Sequence, residues 1–139
     1  MVPGAQEAFY VICADTMARM DSRFIHQHVV DAYLAGEGCA EQKPMGIWFA
    51  LIGLCLHLEH GLDGRHVQRV HMELAKQRRD WPRLEGRLPV HGVTVEDVAA
   101  TEPAEREALI DQWCSGVWAA WQPVHEQVRA LAADFVAPS

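Results

Sequence analysis

The chain has 139 residues, a formal net charge of −7 and a 50% share of hydrophobic residues. This length suits one folded domain with a buried core, so we expect a single domain over residues 1–139. The acidic balance argues against nucleic-acid binding, which needs a basic face that releases counterions.

The sequence also favours a particular compartment. The N-terminal residues lack the basic region and long apolar run of a signal peptide, and the apolar run at residues 45–56 is too short to span a bilayer. No C-x-x-C pair occurs among the four cysteines, and free cysteine on an apolar helical face acts as a small hydrophobe. These cysteines are Cys13, Cys39, Cys55 and Cys114. We therefore expect a reduced, cytoplasmic protein without a membrane span.

The basic residues form one cluster near the middle of the chain. The cluster consists of Lys76, Arg78 and Arg79, with Arg83 and Arg87 beyond. Cations near the C-terminus of a helix interact favourably with the helix dipole. This explains the cluster without a nucleic-acid partner.

In chain order, the first two predicted helices span residues 5–20 and 23–35. The apolar positions of the first helix recur at steps of three and four and form one face. They are Phe9, Ile12, Cys13, Met17 and Met20. Asp21 or Ser22 is the expected N-cap of the second helix. The sequence Gly36-Glu37-Gly38 predicts the loop that follows it.

Residues 45–60 predict a central helix, because the first twelve of them carry no charged or polar side chain. A helix that is apolar all round is buried on every side, so the rest of the chain is expected to wrap it. Pro44 suits its first turn and Gly61 suits its end. The polar residues near that end are His57, Glu59 and His60. Any chemistry is therefore expected at this end.

The segment after the central helix predicts two further helices. The short connection at residues 61–64 makes the next helix, residues 65–79, an antiparallel neighbour. An irregular loop is expected at residues 82–92, where prolines and glycines are frequent. Thr94 and Asp97 resemble a capping box that opens a short helix ending near Ala100.

A last long helix is predicted from Thr101 to Phe135, with a coiled-coil-like apolar seam. Pro123 lies inside it, so the helix either kinks near Ala119 or breaks at Gln122. No stretch shows sustained alternation of polar and apolar residues. The expected fold is therefore all-α, a bundle of four to five main helices around residues 45–60.

Eight histidines are the unusual feature of the composition, and histidine is the commonest metal ligand. On the second helix, His28 and Asp31 are three residues apart and share a face. A buried carboxylate needs a partner. This pair therefore fits a structural hydrogen bond, two ligands of one metal, or an aspartate that orients a histidine base.

Histidines on the next two helices extend this set. His57 and His60 are three apart, which departs from the H-E-x-x-H spacing of zinc proteases. Antiparallel packing points His57 and His71 toward the same interior. Facing helices of a bundle build metal sites from imidazole and carboxylate, so His28, Asp31, His57 and His71 are expected to converge on a divalent metal such as zinc. Histidines that merely satisfy core hydrogen bonds would leave the same pattern.

Tryptophans on the last helix allow two interpretations. Trp118 and Trp121 share a face that either packs against the loop at residues 81–92 or forms the interface of a homodimer. Buried aromatic anchors dominate many protein interfaces.

Several segments stand out as a set: FIHQHVVDAY at 24–33, KPMGIWFALIGL at 43–54, GRHVQRVH at 64–71, WP at 81–82 and DQWCS at 111–115. Over nearly the whole chain, the set resembles a family of small bacterial proteins known only as a domain of unknown function. The resemblance implies no activity. The family pattern stresses a His, an Asp and a Tyr on the second helix, which match His26, Asp31 and Tyr33. It therefore adds His26 beside His28 and leaves both open.

A helical bundle that carries histidines is also similar, at the level of fold alone, to the metal-dependent DinB-like thiol transferases. The chain departs from their pattern, because no two histidines lie four residues apart on a late helix. The resemblance therefore implies no ligand set.

The sequence names no reaction, and two interpretations stand. The first is a non-catalytic protein that binds a small molecule or a second copy of itself. The second is a divalent-metal enzyme, a hydrolase or a thiol-dependent transferase, with Asp31 or Glu59 as the base. Its expected metal ligands are His26, His28, Asp31, His57 and His71.

Overall fold

The structure of the protein, a computed structural model, describes residues 4–37 and 43–136. Within these residues it is all-α, with no strand. The helices are α1 Gly4–Ala18, α2 His26–Glu37, α3 Pro44–His60, α4 Gly64–Ala75, α5 Val95–Ala100, α6 Arg106–Ala120 and α7 His125–Ala132. Five of them have 12 residues or more, which confirms the predicted bundle. No helix in these ranges has both the length and the apolar character to cross a membrane.

Helix α3 is the centre of the bundle, as predicted. It packs against α2, α4, α6 and α7, and its middle turns are buried. Pro44 begins it, where a missing N–H leaves no hydrogen bond unmade. Gly61 ends it in the left-handed conformation with φ 70°, and its N–H donates to the carbonyl of His57. This end therefore turns sharply into α4.

Helix α2 begins later than the sequence predicts. The carboxylate of Asp21 accepts from the N–H of Arg23 at 3.0 Å, and Phe24 has a left-handed φ of 55°. These residues form a turn and the helix starts at His26, so the predicted N-cap at Asp21 or Ser22 was wrong. Gly36 belongs to α2, and Gly38 lies outside the described residues.

The outer face of α1 also differs from the expectation. Met17 and Met20 were predicted on the inner apolar face, yet they are 57% and 91% exposed. Ile12 is fully buried at the centre of the face that packs inward.

The link before α2 packs directly on the link between α3 and α4. The N–H of Arg65 donates to the carbonyl of Arg23 at 3.1 Å, and the guanidinium of Arg65 lies 4.7 Å from the ring centroid of Phe24. A Cβ at Gly64 would overlap the carbonyl of Phe24, so only glycine allows this approach. The contact joins the start of α2 to the polar end of α3.

The C-terminal segment breaks, as the second alternative predicted. Helix α6 ends at Ala120, a 3-10 turn spans Gln122–Val124, and α7 follows. Pro123 lies in this turn and has no N–H for a continuous helix.

Helix α4 is shorter than predicted, because it ends at Ala75 and Lys76 caps it. The predicted capping box of Thr94 and Asp97 is present.

Trp118 and Trp121 are buried inside the chain, with 7% and 6% exposure. The indole of Trp118 donates to Glu59 at 3.0 Å, and that of Trp121 donates to the carbonyl of Ala35 at 2.9 Å. Both indoles therefore pack within the monomer and offer no interface to a second copy. A homodimer stays a prediction to which no surface is assigned.

Candidate functional site

A cleft of about 190 Å³ opens at the polar end of α3. The link before α2, the link between α3 and α4, and the first turns of α6 supply its walls. Its polar lining residues are Arg23, His28, His57, Asp63, Glu107 and Asp111. We call it the dyad cleft, after the hydrogen-bonded pair of His57 and Asp111.

Both ring nitrogens of His57 have an oxygen partner. Nδ1 lies 3.1 Å from the carbonyl oxygen of Leu62, and Nε2 lies 2.9 Å from Oδ1 of Asp111. A carbonyl oxygen only accepts, so Nδ1 carries a proton and donates it. The bond to Asp111 then needs a second proton. The geometry therefore favours a charged imidazolium that faces a carboxylate.

The electrostatics agree with this assignment. Burial alone would lower the pKa of His57, but the hydrogen bonds to Asp111 and Leu62 and the charge of Asp111 together raise it above its ordinary value. The same hydrogen bond lowers the pKa of Asp111. The pair thus stabilises its own charged form.

His28 of α2 lies against His57 in this cleft. The two imidazole rings stack with centroids 3.6 Å apart and an interplanar angle of 15°. Burial, followed by repulsion from His57, lowers the pKa of His28 to about 4. His28 is 4% exposed, and its Nδ1 has no hydrogen-bond partner in the described part of the chain. Buried polar nitrogens seldom lack a partner, so His28 has unused hydrogen-bonding capacity.

A second polar group, which we call the Asp31 chain, runs through the core. The amide of Gln27 donates to Oδ1 of Asp31 at 3.1 Å and lies 3.4 Å from Nδ1 of His71. Nε2 of His71 lies 2.7 Å from the carbonyl oxygen of Phe49, so it is the protonated nitrogen. Nδ1 is then free to accept from Gln27. The chain links α2, α3 and α4.

Asp31 supplies the carboxyl group of the Asp31 chain and is almost completely buried. It is 1% exposed, and its Oδ2 has no hydrogen-bond partner among residues 4–37 and 43–136. That oxygen lies against the Cα of Gly53, where a Cβ would overlap it. Burial raises the pKa of Asp31 well above its ordinary value, so the neutral acid is favoured.

The predicted ligands fall into separate places. His28 and His57 come together in the dyad cleft, whereas Asp31 and His71 are joined only through Gln27. Neither Asp31 nor His71 lines the cleft.

The residues that the family resemblance adds face a different helix. Nδ1 of His26 lies 3.0 Å from the hydroxyl of Thr16 on α1. Tyr33 stacks on Phe9 of the same helix, with centroids 3.9 Å apart. His26 therefore contacts the α1 interface, and His28 is the histidine of α2 that lines the cleft.

The other candidate base, Glu59, is already engaged. Its two oxygens accept from the guanidinium of Arg129 at 2.9 and 2.7 Å, and Trp118 also donates to it. Cys55, Glu59 and His60 nevertheless place potential metal ligands within 4.8 Å of one another. A metal here would displace Arg129, and burial raises the pKa of the Cys55 thiol to about 12. Glu59 therefore fits a structural link from α3 to α7.

Sequence reasoning missed Asp111. It is 54 residues from His57 and lies on a half-exposed position of α6. No local spacing predicts such a pair, because it depends on how α6 packs against α3. The only sequence signal was its place in the DQWCS segment at 111–115.

No curated protein and no solved structure gives a significant match to the chain. A family model with the description "Family of unknown function (DUF5946)" matches residues 3–122. The matched span contains the whole dyad cleft and the whole Asp31 chain. The chain therefore belongs to DUF5946, a family of unknown function.

Proposed function

We propose that the protein binds a small polar molecule in the dyad cleft. One observation carries this proposal. His28 is buried, has an unpartnered ring nitrogen, and stacks on His57, whose charge Asp111 stabilises. Both histidines line the cleft, so a molecule bound there would contact the ring of His28 and the charged pair of His57 and Asp111.

The charges of the cleft restrict the chemistry of the ligand. Arg23 contacts Glu107 at 2.7 Å, and His57 contacts Asp111 at 2.9 Å, so each cation already has a carboxylate beside it. Asp63 adds a third carboxylate to the lining. Such a cleft suits a molecule with both donors and acceptors more than a strong anion. Its volume of about 190 Å³ is below the ~300–1,000 Å³ of pockets for drug-sized ligands. The ligand is therefore a small neutral or zwitterionic molecule.

A divalent metal is a second candidate. Among the described residues, the ligand atoms of Cys55, Glu59 and His60 lie within 4.8 Å of one another, whereas His28, His57 and Asp111 would have to turn their side chains to converge on one ion. The side chain of Asp111 is 54% exposed and is therefore able to turn toward an ion. The proton on His57 competes with a metal, so binding should weaken as the pH falls. The hydrolase and thiol-transferase alternatives depend on this ion, because it would supply the activated water or thiolate.

A screen of small polar metabolites by ligand-observed NMR tests the first candidate. We expect ligands whose binding is lost in both His57→Gln and Asp111→Asn. His66→Gln is the matched control, because His66 is exposed and does not line the cleft. Ligands that bind all three variants equally would contradict the proposal.

Elemental mass spectrometry of untagged protein, soaked in zinc and then desalted, tests the second candidate. Retained zinc that disappears in His28→Gln and His57→Gln would assign the ion to the dyad cleft. Loss in His60→Gln alone would place it at Cys55, Glu59 and His60 instead. Absence of zinc from the wild type would remove the metal candidate.

A further inference from the structure

The charge of the chain is unevenly distributed, and its basic part is α4 together with the residues that directly follow this helix. Residues 65–79 contain five basic residues (lysine or arginine) and one acidic residue. The whole chain contains 12 basic and 19 acidic residues. The rest of the chain thus has seven basic and 18 acidic residues. Helix α4 buries one face, formed by Gly64, Val67, Val70 and Leu74. Its exposed face carries Arg65, Arg69 and Glu73, with Lys76 at the C-cap. This face, which we call the basic surface, therefore has more cations than acids on an acidic protein.

This basic surface borders an apolar groove. A groove of about 380 Å³ lies between α4 and the 3-10 turn Ala133–Phe135. Val70, Met72 and Phe135 are its apolar lining residues, and Arg69 and Lys76 are its cations. His66 and one acid, Glu73, complete the lining. Met72 is 59% exposed, so its side chain is accessible to a partner that enters the groove.

The cations of this groove are available to a partner. Arg69 forms no ion pair within residues 4–37 and 43–136. Lys76 contacts Glu73 at 3.4 Å, but both side chains are largely exposed, with 71% and 61% of their surface accessible. Exposed pairs of this kind contribute little stability and are readily exchanged.

We propose that this groove binds an acidic, amphipathic segment of a partner protein. The apolar side chains of the segment would pack on Val70, Met72 and Phe135, and its carboxylates would pair with Arg69 and Lys76. Grooves that bind helical segments combine an apolar floor with charged edges in this way. The groove shares no lining residue with the dyad cleft, so this inference is independent of the proposed function.

Charge complementarity favours a short acidic segment over a nucleic acid. Screening limits charge interactions to about 8 Å at physiological ionic strength, so a short segment senses mainly the charges of the groove, where Arg69 and Lys76 outnumber Glu73. A nucleic acid extends further and meets the acidic remainder of the chain, which repels it. Phosphates also gain nothing from Met72 and Phe135.

The test uses the full chain and a fluorescein-labelled helical peptide, in which glutamates surround leucines spaced three and four residues apart. Fluorescence anisotropy measures its affinity. We expect the double substitution Arg69→Glu with Lys76→Glu to weaken binding about tenfold or more, and Met72→Ala to weaken it as well. The control, Lys43→Glu with Arg83→Glu, makes the same change in net charge outside the groove and should alter affinity less than about threefold.

Several results would overturn the proposal. Equal weakening by the control would show attraction by net charge alone. Equal binding of a peptide with lysine in place of glutamate would exclude acidic recognition. Displacement of the peptide by a short DNA duplex or by phosphatidylserine vesicles would assign the surface to another partner. All substituted residues are exposed, and circular dichroism checks that the variants stay folded.

Discussion

The imidazole rings of His28 and His57 stack face to face, with centroids 3.6 Å apart, across the contact of α2 with α3. One ring is favoured as a cation by Asp111, and the other is kept neutral by burial and by that cation. The stack therefore joins two histidines with opposite protonation preferences. This asymmetry is the basis of three of the predictions that follow.

Stability should depend on pH through His57. Its folded-state pKa is raised, so its contribution to stability is fully present below the unfolded value of about 6.5 and is lost as pH rises through the folded value. Urea unfolding across this range measures it. The difference in unfolding free energy between wild type and His57→Gln should shrink as the pH rises. A difference that grows would contradict the raised pKa.

His28 should act in the opposite direction. Its folded pKa is about 4, below the unfolded value, so protonation favours the unfolded chain as pH falls through 6.5 toward about 4. His28→Gln should remove this acid sensitivity, since glutamine does not titrate. The same urea series measures it. An unchanged acid dependence in the variant would show that His28 is not buried as a neutral ring.

Asp111→Asn should lower the pKa of His57. The substitution removes the carboxylate, so burial becomes the main influence on His57, and burial lowers a histidine pKa. An NMR titration of the imidazole signals measures the shift. Glu107→Gln is the matched control, because Glu107 lines the cleft but does not contact His57. A similar shift in both variants would indicate a general charge effect.

Asp31→Asn should cost little stability at neutral pH, less than about 1 kcal/mol, because asparagine keeps the acceptor for Gln27 and burial, which raises the pKa of Asp31, already disfavours a charge at this position. The wild type should lose stability as the pH rises, because Asp31 ionises more readily in the unfolded chain than in the folded one. Asp31→Asn lacks this titration, so its stability relative to the wild type should rise with pH. Asp31→Ala should lose about 1–3 kcal/mol, because it removes the acceptor of one of the two hydrogen bonds of the Gln27 amide. Denaturant titrations compare the variants. Equal large losses would argue for an ionised Asp31.

Two glycines of α3 offer a matched pair. Gly53→Ala should destabilise the protein by about 1–3 kcal/mol, because its Cβ overlaps Oδ2 of Asp31. Gly46→Ala should be neutral or stabilising by up to about 1 kcal/mol, since nothing lies within 4 Å of that Cβ and alanine favours a helix. Thermal unfolding measures both. Similar losses would contradict the close contact of α2 with α3.

The sequence predicted those features that depend on local pattern. The uncharged run at 45–56 placed α3, and Pro123 placed the break before α7. The start of α2 was not predictable from local sequence. Phe24 has a left-handed φ, and its carbonyl packs on Gly64, which lies 40 residues further along the chain. The site was predicted in part. Helical spacing identified His28 and His57, but it did not identify Asp111, the hydrogen-bond partner of His57.

The most direct test of the dyad cleft as a binding site is the ligand-observed NMR screen with three variants. Our account predicts small polar ligands that bind the wild type and His66→Gln but are lost in His57→Gln and Asp111→Asn. Two results would contradict the cleft as the functional site. One is that the ligands bind the wild type and all variants alike, and the other is that no ligand binds the wild type.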